Sequence, residues 1–131
     1  VGLKTQDGWL VGSNRGEFGG ELVFINNAGS RKILFKDNIK SIHKINQSII
    51  VITGLSHLTH NVGRIYTITI ESSQPTSELT FALDGSPKRS FVTNNGELII
   101  ESDFGASILR RDGSLARGAC DGEQYQKFNP Y

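Results

Sequence analysis

The chain is poor in several residues on which common chemistries depend. It has one cysteine, Cys120, no methionine, three prolines and one tryptophan among 131 residues. A single cysteine excludes an internal disulfide framework and any multi-cysteine zinc site. Fourteen basic residues against thirteen acidic ones leave a net charge of +1. Such a balance gives no field that would gather nucleic acid or an anionic membrane. No apolar stretch approaches the roughly 18 residues that a membrane helix needs, the longest running from Ser48 to Leu55. Amphipathic helical periodicity is lacking as well. With no methionine the chain begins at Val1, as a processed or trimmed one does, and any targeting segment would already be gone.

What is present points to strands and tight turns. A hydrophobic content of 37% over 131 residues suits one soluble all-β domain with its own core. Fifteen glycines punctuate short runs rich in Ile, Val, Leu, Phe, Tyr and Thr, the pattern of strands joined by turns. About ten short strands are predicted on this basis: residues 8–13, 21–26, 32–37, 39–45, 48–54, 64–70, 78–83, 89–94, 97–103 and 106–112. Between them "NNAGS", "DGSP", "TNNGE" and "RRDGS" carry the Gly and Asn that positive-φ turn positions favour. "RIYTITI" alternates apolar and polar residues and predicts a half-buried strand. "SIIVI" is apolar on both faces and predicts a strand deep in a stack of sheets.

The strands recur in units. Laying Val11 on Ile52 aligns "VGSNRGEFGGELVF" with "ITGLSHLTHNVGRIYTI", at an offset of 41 residues there and 43 between Gly20 and Gly63. A looser third copy is "LIIESDFGASIL", with Ile100 in the place of Ile52 and Gly105 in that of Gly63. Units of four strands and about 40 to 50 residues resemble β-propeller blades, similar to quinoprotein-like or NHL-like repeats over roughly residues 8–117. The WD and GH signatures, the kelch double glycine and the Asp-box are absent, so no subfamily is named. The resemblance implies an antiparallel meander of propeller-blade-like units at 8–37, 39–83 and 87–117, followed by a tail at 118–131. Two units are full and one partial, whereas closed propellers have about 4 to 8 blades. Three readings therefore stand: an excised piece of a larger propeller, a stack completed by self-association or a partner, or closure as a sandwich or barrel.

Enzymatic and metal motifs fare poorly. His57 and His60 lie in a loop, where a spacing of three fixes no geometry, and a zinc site needs more ligands than these two. His43, Cys120, Glu101 and Asp103 could add to them only if folding brought them close. "GLSHL" has leucine where a nucleophile elbow has its last glycine. Glu97, Glu101 and Asp103 alternate along a strand, as a solvated face does. "GEFGGE" lacks a phosphate-binding lysine and a following helix. No catalytic residue, cofactor or metal is expected.

The repeat itself creates a surface. Loops joining the second and third strands of equivalent units emerge on one rim. They collect Arg15, Glu17 and Phe18 from the first unit, His57 and His60 from the second, and Asp103 and Phe104 from the third. Aromatic, arginine and histidine side chains on loops over a rigid scaffold suit protein recognition, unless Phe18 and Phe104 tuck inward as plugs. The expectation is a non-enzymatic protein-binding module, periplasmic or secreted, such as a bacterial inhibitor or immunity protein that neutralises a toxin or hydrolase. The alternative is a fragment of a larger propeller contributing to a ligand or catalytic pocket. Nucleic acid and membrane insertion are not expected.

Overall fold

The computed structural model describes residues 1–118. Residues 119–131 of the expected tail, Cys120 among them, lie outside the described residues, whereas Gly118, expected to open that tail, is the last residue of a strand. Among the described residues twelve strands form three separate four-stranded antiparallel sheets, each a simple meander in chain order. Sheet 1 comprises β1 (Gly2–Thr5), β2 (Gly8–Gly12), β3 (Leu22–Asn26) and β4 (Arg31–Phe35). Sheet 2 comprises β5 (Ile39–Ile45), β6 (Ser48–His57), β7 (His60–Glu71) and β8 (Gln74–Ala82). Sheet 3 comprises β9 (Pro87–Val92), β10 (Leu98–Ser102), β11 (Gly105–Leu109) and β12 (Leu115–Gly118).

Two strands exceed the expected ten. β1 was hidden in "GLKT", too short and too mixed to show a period. β12 completes the third unit, which is a full four-stranded sheet and not a partial one. The first unit likewise begins at Gly2 and not at residue 8.

Sheet 2 is the middle layer, and the alternation of β6 explains why. Ile49 and Val51 join Leu10, Leu22 and Phe24 of sheet 1 in one buried cluster. Ile50 and Ile52 join Leu98, Ile100 and Leu109 of sheet 3 in another. Successive strand residues point to opposite faces, so an uninterrupted run of branched residues supplies both interfaces at once. Each such side chain contributes about 1.5–3 kcal/mol by leaving water.

The same alternation corrects the repeat alignment. Leu10 of β2 faces sheet 2, as Ile52 of β6 faces sheet 3, while Val11 lies on the exposed outer face. Ile100 faces back toward sheet 2. Aligning Val11 with Ile52, and Ile52 with Ile100, therefore joins residues of opposite facing, a slip of one residue, whereas Val11 and Ile100 both lie on the side away from the following sheet. The glycines align better. A Cβ on Gly20, Gly63 or Gly105 would collide with the carbonyl oxygen of Asp37, Gly85 or Gly118, the chain leaving the fourth strand of the same sheet. Gly12 and Gly54 are likewise equivalent, each facing the first residue of the next sheet, Ile39 and Pro87.

The linkers between sheets are pinned to the sheet that follows. Gly54 N donates to Asn38 O at 3.0 Å, and Asp103 N donates to Ser86 O at 3.0 Å. In both cases a bulge follows the first residue of the sheet's opening strand, at Lys40 in β5 and at Lys88 in β9. No helix among the described residues is long and apolar enough to cross a membrane.

Candidate functional site

The three loops expected to share a rim do meet there. The first runs from β2 to β3 and is rigidified from within. Asn14 Oδ1 accepts from Gly16 N at 3.0 Å and Ser13 Oγ from Glu21 N at 3.0 Å, around a single 3-10 turn at Gly16–Phe18. Asn38 Nδ2 donates to Gly16 O at 2.9 Å and holds the loop to the linker. Arg15 Nη1 turns back to Ser13 Oγ at 3.4 Å, so the guanidinium lies along the loop.

The second loop is the two-residue turn Leu58-Thr59, closed by the pairing of His57 with His60. His57 Nε2 meets Glu17 Oε2 at 2.5 Å, which joins the first loop to the second. The third is the turn Asp103-Phe104, whose backbone amides donate to Ser86 O and Asp84 O. Asn61 joins the second loop to the third. Its Nδ2 donates to Asp103 Oδ2 at 2.9 Å, and its Oδ1 accepts from Ser86 N at 2.6 Å. Lys88 Nζ stands 3.7 Å from the other oxygen of Asp103.

Three large apolar side chains stand out from this framework. Phe18 is 80% exposed, Leu58 91% and Phe104 66%. The phenylalanines therefore do not act as inward plugs. Leu58 has a φ of 53°, a conformation that costs a branched L residue roughly 1–2 kcal/mol. Of the two turn residues it alone has positive φ, at a position where glycine is the usual choice. An apolar side chain held in strain and in water is an outlier of the kind that accompanies function.

Below the rim lies a polar cluster that sequence reasoning missed. Asp37 Oδ2 accepts from Thr53 Oγ1 at 2.8 Å, Tyr66 OH at 3.1 Å and Arg64 Nη1 at 3.3 Å. Burial first, and then the Asp37 carboxylate, push the Tyr66 hydroxyl above its ordinary pKa, so it stays a donor. Its ring stacks on Phe35, with centroids 4.0 Å apart. The cluster clamps the end of sheet 1 to sheet 2 and supports the first loop from beneath. No local signal in the sequence links residue 37 to 53, 64 and 66.

The other residues weighed for chemistry are dispersed. Glu101 pairs with Arg89 through two contacts, 2.5 and 2.9 Å, and those hydrogen bonds hold its carboxyl below the usual range. His43 lies between the opening strands of sheets 2 and 3. Its Nε2 bonds Ser90 Oγ at 2.8 Å and Ser41 Oγ at 3.1 Å. Among the described residues no carboxylate orients its other nitrogen, and no three His, Cys, Asp or Glu side chains converge as metal ligands. His57 and His60 sit with Glu17 at the rim, remote from His43.

Burial lowers the pKa of His43 from 6.5. Below pH 6.5 the unfolded chain binds a proton that the folded one resists, so stability falls as the pH drops through that value. Urea melts at pH 7 and pH 5 should show this loss, and His43→Gln should reduce it. An unchanged pH dependence in the variant would show that His43 is not responsible.

No known protein-family model matches the chain, and neither does any curated protein.

Proposed function

We propose that this is a non-enzymatic, propeller-like protein-binding module that recognises another protein through the rim carrying Phe18, Leu58 and Phe104. The observation that carries the reading is Leu58, exposed and at positive φ on a turn tied to both neighbouring loops. Polar ties beneath exposed apolar tips reduce the ordering that association requires, and aromatic anchors are frequent among residues that dominate binding. Glu17, His57, Arg15, His60 and Asp103 supply a polar margin. An inhibitor or immunity role falls within this reading, with a toxin or hydrolase as the partner.

The test separates recognition from folding. Leu58→Asn replaces a strained leucine with a residue that tolerates left-handed backbone, and should raise stability by about 0.5–1 kcal/mol. Combined with Phe18→Ala and Phe104→Ala, it should abolish capture of the partner from an extract of the source organism while the melt stays intact. Equal capture by the wild-type chain and the triple variant would end this reading.

A second reading, a segment of a larger propeller, is favoured by the outer face of sheet 1. Trp9, Val11 and Ile33 are exposed there, and Lys4 Nζ lies 5.6 Å from the Trp9 ring centroid. In sheets 2 and 3 the equivalent face packs against the preceding sheet. Light scattering that shows a monomer, together with one cooperative melt, would count against this reading.

A further inference from the structure

At the end of the stack opposite the rim, sheets 2 and 3 part around a cavity of about 290 Å³. β6 runs away from the cavity toward His57 at the rim, and β11 begins at the rim with Gly105 and reaches the cavity at Leu109. The walls are Ile50 and Ile65 of sheet 2, Phe81 on its outer strand, and Leu109 of sheet 3. Polar groups gather at the mouth. Thr67 and Thr80 share a hydroxyl hydrogen bond of 2.7 Å, Thr80 being the extra residue of a bulge in β8. Across from them the turn after β11 brings up Arg110 and Arg111.

We propose that this cavity binds a small amphipathic carboxylate, its acyl or aryl body between the sheets and its carboxylate on the arginine turn. The volume lies just below the range of roughly 300–1,000 Å³ usual for ligand sites, and such sites combine apolar walls with a few placed polar groups. A guanidinium matches a carboxylate through paired N–H donors. The adjacent acid, Asp112, interacts electrostatically with Arg110 but sets one negative charge against the two arginines of the turn. Asp112 Oδ1 accepts from Ser114 N at 2.9 Å and Ser114 Oγ at 2.6 Å, which holds it to its own turn. Glu97 and Arg111 both line a neighbouring hollow beyond the mouth, which leaves Arg110 as the main anchor.

Isothermal titration of the full chain with decanoate, decanol and decyltrimethylammonium tests the assignment. Decanoate should bind saturably at one site and more tightly than decanol, and the cationic amphiphile should not bind. Arg110→Gln should weaken decanoate by about tenfold and leave decanol unchanged, because only the charge-assisted contact is lost. Thr80→Trp should block both ligands, and since Thr80 is solvent-exposed the variant should melt as the wild type does. The proposal fails if decanoate gives no saturable heat, if decyltrimethylammonium binds equally well, or if Thr80→Trp leaves binding intact. Binding to phosphatidylglycerol vesicles without decanoate binding would assign the arginines to a lipid surface and also overturn it.

Discussion

Replacing Ile52 by alanine should lower the unfolding free energy by about 3–5 kcal/mol, the upper part of the range for large-to-small core changes. Ile52 is fully buried, and it sits in the cluster that joins the middle sheet to sheet 3. The hole left by its removal is bounded by Ile65, Leu98 and Ile100, side chains on two relatively stiff sheets that cannot both collapse into it. The next residue back, Val51, contributes to the opposite interface, against Leu10, Leu22 and Phe24. Val51→Ala and Ile52→Ala therefore affect different layers although adjacent in the chain, and any departure from additivity in the double variant measures coupling through their shared backbone. Ile33→Ala, on the exposed outer face of sheet 1, should cost less than about 1 kcal/mol. Urea unfolding of the three single variants and of the Val51→Ala/Ile52→Ala double variant checks the layer order. A small effect at Ile52, or a large one at Ile33, would contradict the stacking.

The layered arrangement was legible because its cause is local. A run of four residues, Ile49 to Ile52, apolar on both faces has no place except between two sheets, and β6 lies there. Turn chemistry marked most strand ends for the same reason, since glycine and asparagine answer to backbone angles and not to distant partners. Face assignment was less legible. The repeat unit was visible from Gly20 and Gly63, yet a slip of one residue at Val11 and Ile52 reversed the facing of a whole strand, and only the neighbouring sheets reveal it. Rim membership of Arg15, Glu17, Phe18, His57, His60, Asp103 and Phe104 followed from strand order alone. The ties that organise the rim did not, because Asn61 with Asp103, and Asp37 with Thr53, Arg64 and Tyr66, are long-range contacts. Leu58 was passed over because an apolar residue in a loop has no meaning until its φ and exposure are known.

Gly63→Ala should destabilise the protein by about 3 kcal/mol, at the upper end for overpacking, and the sign is the informative part. Gly63 does not have positive φ. On conformational grounds alone, alanine in such a strand position should therefore stabilise by about 0.5–1 kcal/mol. Space reverses that. A Cβ on Gly63 would overlap the Gly85 carbonyl oxygen and would also approach Pro87 Cδ to 3.1 Å and Leu83 Cβ to 3.2 Å. The carbonyl belongs to a linker fixed by Leu83 N donating to Gly63 O at 2.9 Å and by Asp103 N donating to Ser86 O, so it cannot withdraw without loosening sheet 3. Gly29→Ala supplies the contrast. Gly29 has a φ of 89° with nothing within 4 Å of a Cβ, so its substitution carries only backbone strain of about 1–2 kcal/mol. Gly20 and Gly105 face equivalent carbonyls, and alanine at each should destabilise with the same sign as at Gly63. Thermal melts of the four variants decide the matter. Stabilisation at Gly63 would mean that the exit chain does not cross there, and would remove the strongest structural argument that the three sheets are copies of one unit.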